Sequence, residues 1–191
     1  MSTTATNVSV GKPKVGGAVW VAPLGTTLPT TADGALNEAF KSLGYMSEEG
    51  VTNSLAPDSD TIKAWGGDIV VTTDNGRDDN TKFTMIEAKN LDVLKVVFGT
   101  DNVTGTLASG VTIKSTNDPL PDMCYVIDMI MRGNTIKRYV IPDGKVTDVA
   151  DIVYKDSDAI GYGVTIQSIP DSDGVLHYEY MKEAASNSST P

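Results

Sequence analysis

Most of the chain consists of short stretches in which apolar and polar residues alternate, a pattern typical of half-buried β-strands. In GYGVTIQSI, Tyr162, Val164 and Ile166 fall on one face, and the residues between them fall on the other. The same pattern predicts strands in GGAVWVAPL (16–24), VTDVADIVY (146–154) and the end of DSDGVLHYEY (171–180). CYVIDMIMRGNTIKRYVI predicts a hairpin with its turn at Gly133 and Asn134, followed by a Pro-Asp-Gly turn at 142–144.

Two segments show helical spacing instead. TTADGALNEAFKSLG (30–44) repeats apolar residues at helical intervals and ends at Gly44. NLDVLKVVFG (90–99) begins with Asn90 as a cap and ends at Gly99. Many short strands at a spacing of about ten residues, with one or two short helices, predict a mainly β chain folded as a β-sandwich or barrel.

The segment TIKAWGGDIVVTTDNGRDDNTKFTMIEA (61–88) contains two extended runs, 61–73 and 81–88. Between them lies the polar stretch DNGRDDN (74–80), whose Asp, Asn and Gly residues are typical of turns. We therefore predict a hairpin that turns within DNGRDDN. With the preceding SEEGVTNSLAPDSD, it makes a long loop and hairpin over 47–88.

At 191 residues the chain fits a single domain. Both ends are small and polar, so we expect a flexible arm over 1–14 and a flexible tail over 181–191, around one β domain over 15–180. Neither a secretory signal nor an apolar run long enough to span a bilayer is visible, which favours folding in a cytoplasm.

The charge is acidic, with 25 Asp and Glu against 15 Lys and Arg and a net charge of −10. Tight binding of nucleic acid requires cations that neutralise phosphates. A chain of this charge is therefore expected to repel DNA and RNA, and the simpler interpretation is a solvated acidic surface that aids solubility.

Residues for an enzyme or a cofactor site are scarce. His177 is the only histidine and Cys124 the only cysteine, so neither a zinc site nor a typical catalytic triad can be assembled, and Cys124 is expected to be buried. The Asp clusters do not match the spacing of a calcium loop. Paired carboxylates for glycoside hydrolysis stay open in any acidic chain, but 6% aromatic residues is few for a sugar-binding cleft. We expect no catalytic residue, no metal and no cofactor.

An ordered series of segments resembles the major tail tube proteins of long-tailed, non-contractile phages, in particular the branch found in phages of Gram-positive bacteria. The series begins with AFKSLGYMSEEGVTNS, IKAWGGD and KFTMIEAKNLDVLKVVFG. It continues with DNVTG, VIDMIMRGNTIKRYVIPDGKVTDVADIVYKD, AIGYGVTI and PDSDGVLHYEY, and so covers roughly residues 8–180.

This resemblance implies a β-sandwich or barrel subunit with the phage tail tube fold. It also implies that six copies form a ring and that rings stack around a tape-measure protein, ending at tail-tip and tail-terminator proteins. Genomic double-stranded DNA would leave through the lumen without specific binding. The expected location is the virion tail, assembled in the cytoplasm of the host bacterium, with no membrane contact.

Within that expectation the hairpin supplies strands that line the lumen, and acidic side chains there repel DNA during ejection. The acids expected to face the lumen are Asp74, Asp78, Asp79 and Asp128. For Asp128 an alternative is an ion pair with Arg138 across the hairpin, because an unpaired buried carboxylate is costly.

The loop before the hairpin is expected to reach a neighbouring ring. The residues expected to contact other subunits are Ser47, Glu48, Glu49, Asn53, Asp58, Asp60, Trp65 and Arg77. We interpret Trp65 as a packing anchor at the root of this loop, with an inter-subunit contact as the alternative. Two other functions stay open: a tube protein of a contractile or secretion apparatus, and a monomeric β-sandwich binding module.

Overall fold

Two central strands, β8 (Met123–Ile130) and β9 (Thr135–Val149), organise the fold in the computed structural model, which describes residues 3–14 and 16–183. The other strands are β1 (Lys12–Pro13), β2 (Val19–Pro23), β3 (Lys41–Ser42), β4 (Met46–Lys63), β5 (Ile69–Met85), β6 (Val103–Thr106), β7 (Gly110–Ile113), β10 (Tyr162–Ser168) and β11 (Tyr178–Glu183). One α-helix, α1 (Leu91–Phe98), and three single turns of 3-10 helix, Ala5–Asn7, Thr100–Asn102 and Arg132–Asn134, complete the described part. The predicted class, mainly β with a short helix, is confirmed.

Nine strands form one antiparallel sheet in the order β3-β2-β8-β9-β10-β5-β4, with β1 added to β8 and β11 added to β9. The sheet divides at β9, because residues 135–140 pair with β11 whereas residues 144–149 pair with β10. A separate two-stranded sheet joins β6 and β7. The strands predicted from GGAVWVAPL, GYGVTIQSI and DSDGVLHYEY, and the hairpin that turns at Gly133 and Asn134, are all present.

Strand β8 is buried on both faces, which explains why its sequence is apolar except at Asp128. Tyr125 and Ile127 belong to the larger hydrophobic core, which also contains α1 and the inner faces of β5 and β10. Cys124 and Val126 point the other way, into a smaller core. Because each face of β8 meets its own apolar layer, alternation is absent from MCYVIDMI, as expected for a fully buried strand. The buried position predicted for Cys124 is confirmed.

Helix α1 forms where the sequence predicts it. The side chain of Asn90 accepts a hydrogen bond from the backbone N–H of Asp92 at 3.0 Å, and Gly99 ends the helix with φ of 95°. A side-chain cap at this position satisfies a backbone donor that the first turn leaves free. Val93 and Val96 are buried along with Leu94 and Val97, so the helix is covered on more than one side.

The helix predicted over 30–44 is wrong. The segment forms local turns, in which Thr31 Oγ1 accepts from the N–H of Gly34 at 3.0 Å and the carbonyl of Asn37 accepts from the N–H of Phe40 at 3.0 Å. Phe40 enters the smaller core and Leu43 the larger one. One helix would place these two side chains on the same face, so the two cores on opposite sides of the sheet favour an irregular chain instead.

The predicted Pro-Asp-Gly turn at 142–144 is also wrong, because β9 continues through it. The pairing with β8 shifts between Met123↔Gly144 and Tyr125↔Ile141, which marks a β-bulge on β9. A Cβ on Gly144 would lie 2.9 Å from the ring of Tyr125. The glycine thus permits close packing at a bulge. Strand β9 then ends at Val149, so only the first part of the strand predicted over 146–154 is present.

Parts of both predicted ends belong to the sheet. Lys12 and Pro13 pair with Ile130 and Met129, so the ordered sheet begins inside the segment assigned to an arm. At the other end, β11 runs to Glu183, beyond the predicted boundary at 180. The rest of the predicted tail, 184–191, lies outside the described residues.

Candidate assembly site: a long exposed hairpin

Strands β4 and β5 form one hairpin, with 18 residues in the first strand and 17 in the second. Near its root β5 pairs with both β4 and β10, but beyond Asn80 it pairs with β4 alone. Residues 54–78, which we call the outer hairpin, are all exposed. At about 3.3 Å per residue, ten residues of strand carry the tip roughly 33 Å from the body.

The turn of this hairpin lies earlier than the sequence predicts. It spans Ala64–Asp68, where the carbonyl of Asp68 accepts from the N–H of Ala64 at 2.8 Å and the carbonyl of Ala64 accepts from the N–H of Gly67 at 3.0 Å. Gly66 and Gly67 have φ of 136° and 102°, values that residues with a Cβ atom rarely adopt. The segment SEEGVTNSLAPDSD, predicted as a loop, is therefore strand β4.

The stretch DNGRDDN forms a β-bulge inside β5 and not a turn. Asp58 pairs with Gly76 but Ser59 pairs with Asp74, which leaves Asn75 as the extra residue. Gly76 has φ of 114°, and its N–H donates to Asp74 Oδ1 at 3.0 Å. Here Asp, Asn and Gly form a bulge. The same residue types also form turns, so composition alone does not distinguish the two structures.

Trp65 stands at the tip of the hairpin and is fully exposed, at 109% of its reference surface. The interpretation of Trp65 as a packing anchor within its own subunit is therefore wrong, because Gly66 and Gly67 let the chain turn with the indole directed outwards. Four further apolar side chains near the tip are also exposed: Ile62, Ile69, Val70 and Val71. An apolar surface at the end of a projecting hairpin is typical of an interaction site.

The hairpin is held at its root by a partly buried polar cluster, which we call the root cluster: Asn53, Asp79, Thr81, Tyr139 and His177. Asn53 Nδ2 donates to Asp79 Oδ1 at 2.5 Å and to the Tyr139 hydroxyl at 2.9 Å. His177 Nδ1 contacts Asp79 Oδ2, and its ring lies against that of Tyr139 with centroids 4.4 Å apart. The cluster therefore connects both strands of the hairpin to β9 and to the segment before β11.

Burial raises the pKa of Tyr139, so its hydroxyl stays protonated and available as a donor. The Tyr139 hydroxyl lies 3.1 Å from Thr81 Oγ1 and 3.4 Å from Asp79 Oδ1. His177 is occupied by Asp79 and Tyr139, and the thiol of Cys124 lies in the smaller core. His177 thus has a structural position in the root cluster.

Two of the four acids expected to face the lumen are buried, which corrects their assignment. Asp79 has 0% exposure and belongs to the root cluster, and Asp128 has 2% exposure. Asp74 and Asp78 are exposed on the outer hairpin. Asp78 lies opposite Ala56, whereas Asp74 lies opposite Ser59. Because side chains alternate along β4, this register directs Asp74 and Asp78 to opposite faces of the hairpin.

Asp128 forms the predicted ion pair with Arg138, in a bidentate geometry. Arg138 Nε and Nη2 donate to the two carboxylate oxygens at 2.6 and 2.9 Å, and Lys14 Nζ lies 3.5 Å from Oδ2. Arg138 Nη1 donates to the carbonyls of Thr31 and Gly34 at 3.0 and 2.8 Å. Four of the five N–H donors of Arg138 are thus hydrogen-bonded, and the buried pair fixes the irregular segment that covers the smaller core.

The residues expected to contact other subunits are distributed along the whole hairpin. Asn53 is internal to the root cluster, whereas the others lie on the hairpin from root to tip: Ser47, Glu48, Glu49, Asp58, Asp60, Trp65 and Arg77. The sequence analysis did not identify Thr81, Tyr139 and His177 as residues that connect the hairpin to the body of the subunit. A signal was available in the sequence: Asp79 and Thr81 occupy every second position of β5, in line with the core residues Phe83 and Met85, and so share their face.

Neither a metal site nor a membrane helix is found within residues 3–14 and 16–183. No three His, Cys, Asp or Glu side chains come together in a metal-binding arrangement there. No helix in the same part of the chain is long and apolar enough to cross a membrane.

Comparison with known proteins identifies a sequence family. The pattern of the phage tail tube protein family matches residues 6–191. No curated protein matches the chain in sequence. Among solved structures, the chain is similar to the tube-terminating cap of the anti-feeding prophage, with a TM-score of 0.45 and 8% identity over 95% of this chain and 100% of the cap chain.

Proposed function

Because the chain belongs to the phage tail tube protein family, we propose that it forms hexameric rings, that the rings stack into the tube of the tail, and that double-stranded DNA leaves the virion through the lumen. Membership makes the chain a structural component of the phage tail, a role that requires no catalysis. The observation that carries the proposal is the outer hairpin, which projects from the body with an apolar tip.

Ring formation is supported by the sheet edge at β4. In the described residues this strand ends the sheet, and its outer edge has no partner along 18 residues. An exposed edge of this length is a template for pairing with another chain. Pairing with a different edge of a neighbouring copy is a head-to-tail contact, and such contacts close into a ring when the rotation between copies allows it.

The face of the hairpin that carries Asp78 is the one we assign to the lumen. Asp58 and Asp60 alternate onto this face of β4. It continues into the solvent side of the sheet, where Lys82 of β5 lies opposite Thr165 of β10. Asp74 lies on the other face with Arg77. Three acids on one continuous polar face support a surface that repels DNA.

Charge summed over a ring supports the same assignment. Six copies at −10 give −60 (6 × −10). Acids repel the duplex effectively only within a Debye length, about 8 Å at physiological salt. A lumen lined by the face of Asp58, Asp60 and Asp78 places carboxylates within that range of passing DNA.

Family membership also supports the other partners in this proposal: a tape-measure protein inside the growing tube, and tail-tip and tail-terminator proteins at its ends. Assembly takes place in the cytoplasm of a host bacterium. The narrower resemblance, to non-contractile tails of phages of Gram-positive bacteria, stays a prediction.

Electron microscopy of the purified protein over a range of concentrations, with light-scattering mass, tests the proposal. We expect rings with sixfold averages, or hollow tubes with a bore that admits a DNA duplex. A species of 20.2 kDa at all concentrations, which stays monomeric when seeded with tail-tip complexes, would overturn it and favour a monomeric binding module. Rings with a different number of subunits would overturn the hexamer alone.

A further inference from the structure

The apolar tip of the hairpin needs a complementary surface. The tip consists of Trp65 with Ile62, Ile69, Val70 and Val71, all exposed in the subunit. Trp65 contacts no part of its own subunit body, since its side chain is fully exposed. Trp, with Tyr and Arg, is enriched where a few side chains provide most of the binding energy of an interface. The tip therefore has the composition of an anchor.

A groove of about 1040 Å³ lies at the opposite end of the same hairpin, beside the start of β4. Small-molecule pockets in proteins have volumes of about 300–1,000 Å³, so this groove is large enough for a tryptophan and its neighbours. Its apolar lining comes from Gly17, Ala18, Met46, Val51, Ile127 and Met129.

The charges that flank the tip match those that flank the groove. On the hairpin, Lys63 precedes the turn and Asp68 ends it. The lining of the groove includes Glu48 and Glu49 from β4 and Lys12 from β1, while Lys14, which follows β1, is paired with Asp128. Lys63 can thus meet the carboxylates of Glu48 and Glu49, and Asp68 can meet Lys12, which favours one orientation of entry.

We infer that the hairpin tip of one subunit docks into the root groove of a second copy of this chain, with Trp65 as the anchor and Lys63 facing Glu48. The inference rests on the proposed function and names the contact between successive rings. A tip and a groove at opposite ends of one element make a head-to-tail contact that repeats along the hairpin and does not close. Trp65 lies fourteen positions after Val51, and at about 3.3 Å per position this distance sets an axial repeat of roughly 46 Å.

Substitution of the anchor is the first test. Trp65→Ala is expected to raise the critical concentration for tube formation roughly 30-fold or more, the effect of losing a central interface side chain. Because Trp65 is exposed, the variant subunit is expected to fold as the wild type does, with an unchanged circular dichroism spectrum. Leu107→Ala is the matched control, since Leu107 is an exposed apolar residue between β6 and β7, and it is expected to assemble normally.

Tryptophan fluorescence follows the same contact without weakening it. The difference between the emission spectra of wild type and Trp65→Phe isolates Trp65 from Trp20. We expect this difference spectrum to shift to shorter wavelength when subunits become tubes, because the indole leaves water. Assembly with no such shift would overturn the inference.

A charge exchange identifies the groove. Glu48→Lys and Lys63→Glu are each expected to raise the critical concentration several-fold at low salt, and the double variant is expected to restore it, because the pair regains opposite charges. Asp156→Lys makes the same charge change as Glu48→Lys on another exposed loop and serves as its control. Failure of the double variant to restore assembly would overturn the Lys63–Glu48 contact.

The outcomes separate the inference from the function on which it rests. If the wild type forms neither rings nor tubes, the proposed function fails. If the wild type forms tubes and Trp65→Ala forms them at the same concentration, or Leu107→Ala is equally impaired, only the docking of the tip is overturned. Rings that form but do not stack in Trp65→Ala would support both.

Discussion

At the scale of single residues, Asp79 connects the projecting hairpin to the body. Its carboxylate accepts from Asn53 across the hairpin and contacts His177, which precedes β11. These partners lie 26 and 98 residues away in sequence. A carboxylate with 0% exposure is tolerated because its neighbours supply hydrogen bonds in place of water. The position of the hairpin therefore depends on one side chain more than on its exposed neighbours.

Removal of this carboxylate is expected to destabilise the subunit. Asp79→Ala removes an acceptor of the Asn53 amide and the partner of the half-buried His177, and it empties a fully buried position, so the free energy of unfolding should fall by about 1–3 kcal/mol. Urea denaturation measures the change. Asp78→Ala is the control, because Asp78 is the adjacent residue but is exposed, and it should have little effect. Equal stability of the two variants would contradict the role given to the root cluster.

Asp171 provides a pH dependence at the same scale. The hydroxyl of Tyr178 donates to Asp171 Oδ2 at 2.6 Å, and this hydrogen bond, aided by the N–H of Val175, lowers the pKa of the Asp171 carboxyl. A carboxyl whose pKa is lowered in the folded state adds stability above its unfolded pKa. That stability is lost as the pH falls through the folded value.

Replacement of Tyr178 by Phe should therefore raise the pKa of Asp171 and reduce the stability gained between acid and neutral pH. NMR titration of the Asp171 carboxyl carbon measures the first effect, and unfolding at several pH values measures the second. Tyr180→Phe is the control, because the Tyr180 ring stacks on Tyr178 at 6.2 Å but its hydroxyl does not bond to Asp171. An Asp171 titration unchanged in Tyr178→Phe would refute the assignment.

The sequence predicts single residues well when one local rule decides them. Asn90 caps α1, and Asp128 has its cation one strand away in Arg138, where hairpin pairing places it. Asp79 could not be predicted in the same way. Tyr139 lies on β9 and His177 just before β11, and neither strand pairs with β5, so only the order of the whole sheet brings them to Asp79. In addition, an exposed turn and a partly buried cluster use the same polar residues.

At the scale of elements, local patterns predicted most strands but misplaced their ends and turns. Apolar spacing over 30–44 resembles a helix because Phe40 and Leu43 are three residues apart, yet these side chains serve two cores. The bulges at Gly76 and Gly144 resemble turns because both stretches contain Asp and Gly. Whether such residues reverse a strand or kink it depends on the partner strand, which sequence alone does not show.

The hairpin as an element is expected to be the least protected part of the sheet before assembly. In the free subunit the backbone amides of the outer hairpin should exchange with deuterium much faster than those of β8, because the outer hairpin has two strands in water whereas β8 is buried on both faces. In tubes the outer hairpin should become protected. Exchange followed by mass spectrometry compares the two states, with β8 as the internal reference.

Peptides of the outer hairpin that exchange equally fast in subunits and in tubes would contradict its role in assembly. Protection confined to residues 62–71 would favour the docking of the tip over pairing along the β4 edge. Protection along the whole of β4 would favour both.

At the scale of the whole molecule, charge separates the two sides of the proposed tube wall. The subunit has a net charge of −10. Asp79 is hydrogen-bonded and Asp128 is paired with Arg138 inside the body, so neither contributes to an acidic surface. The face of Asp58, Asp60 and Asp78 is thus the acidic surface that the fold places on a projecting sheet. Composition together with the family resemblance predicted an acidic wall, and the register of β4 and β5 was needed to say which acids share a face.

Neutralisation of this face tests its place in the tube. Asp58→Asn, Asp60→Asn and Asp78→Asn together change the subunit charge from −10 to −7 (−10 + 3) and the charge of a proposed ring from −60 to −42 (6 × −7). A concave lumen focuses the field of its charges, whereas a convex outer surface does not. The triple variant should therefore bind a small polycation, spermine, at least about tenfold more weakly than wild-type tubes at low salt.

Calorimetric titration of assembled tubes measures this affinity. Asp101→Asn, Asp118→Asn and Asp156→Asn together make the same change of charge at exposed sites outside the hairpin. If that control weakens spermine binding as much as the hairpin variant does, the face of Asp58, Asp60 and Asp78 does not line the lumen.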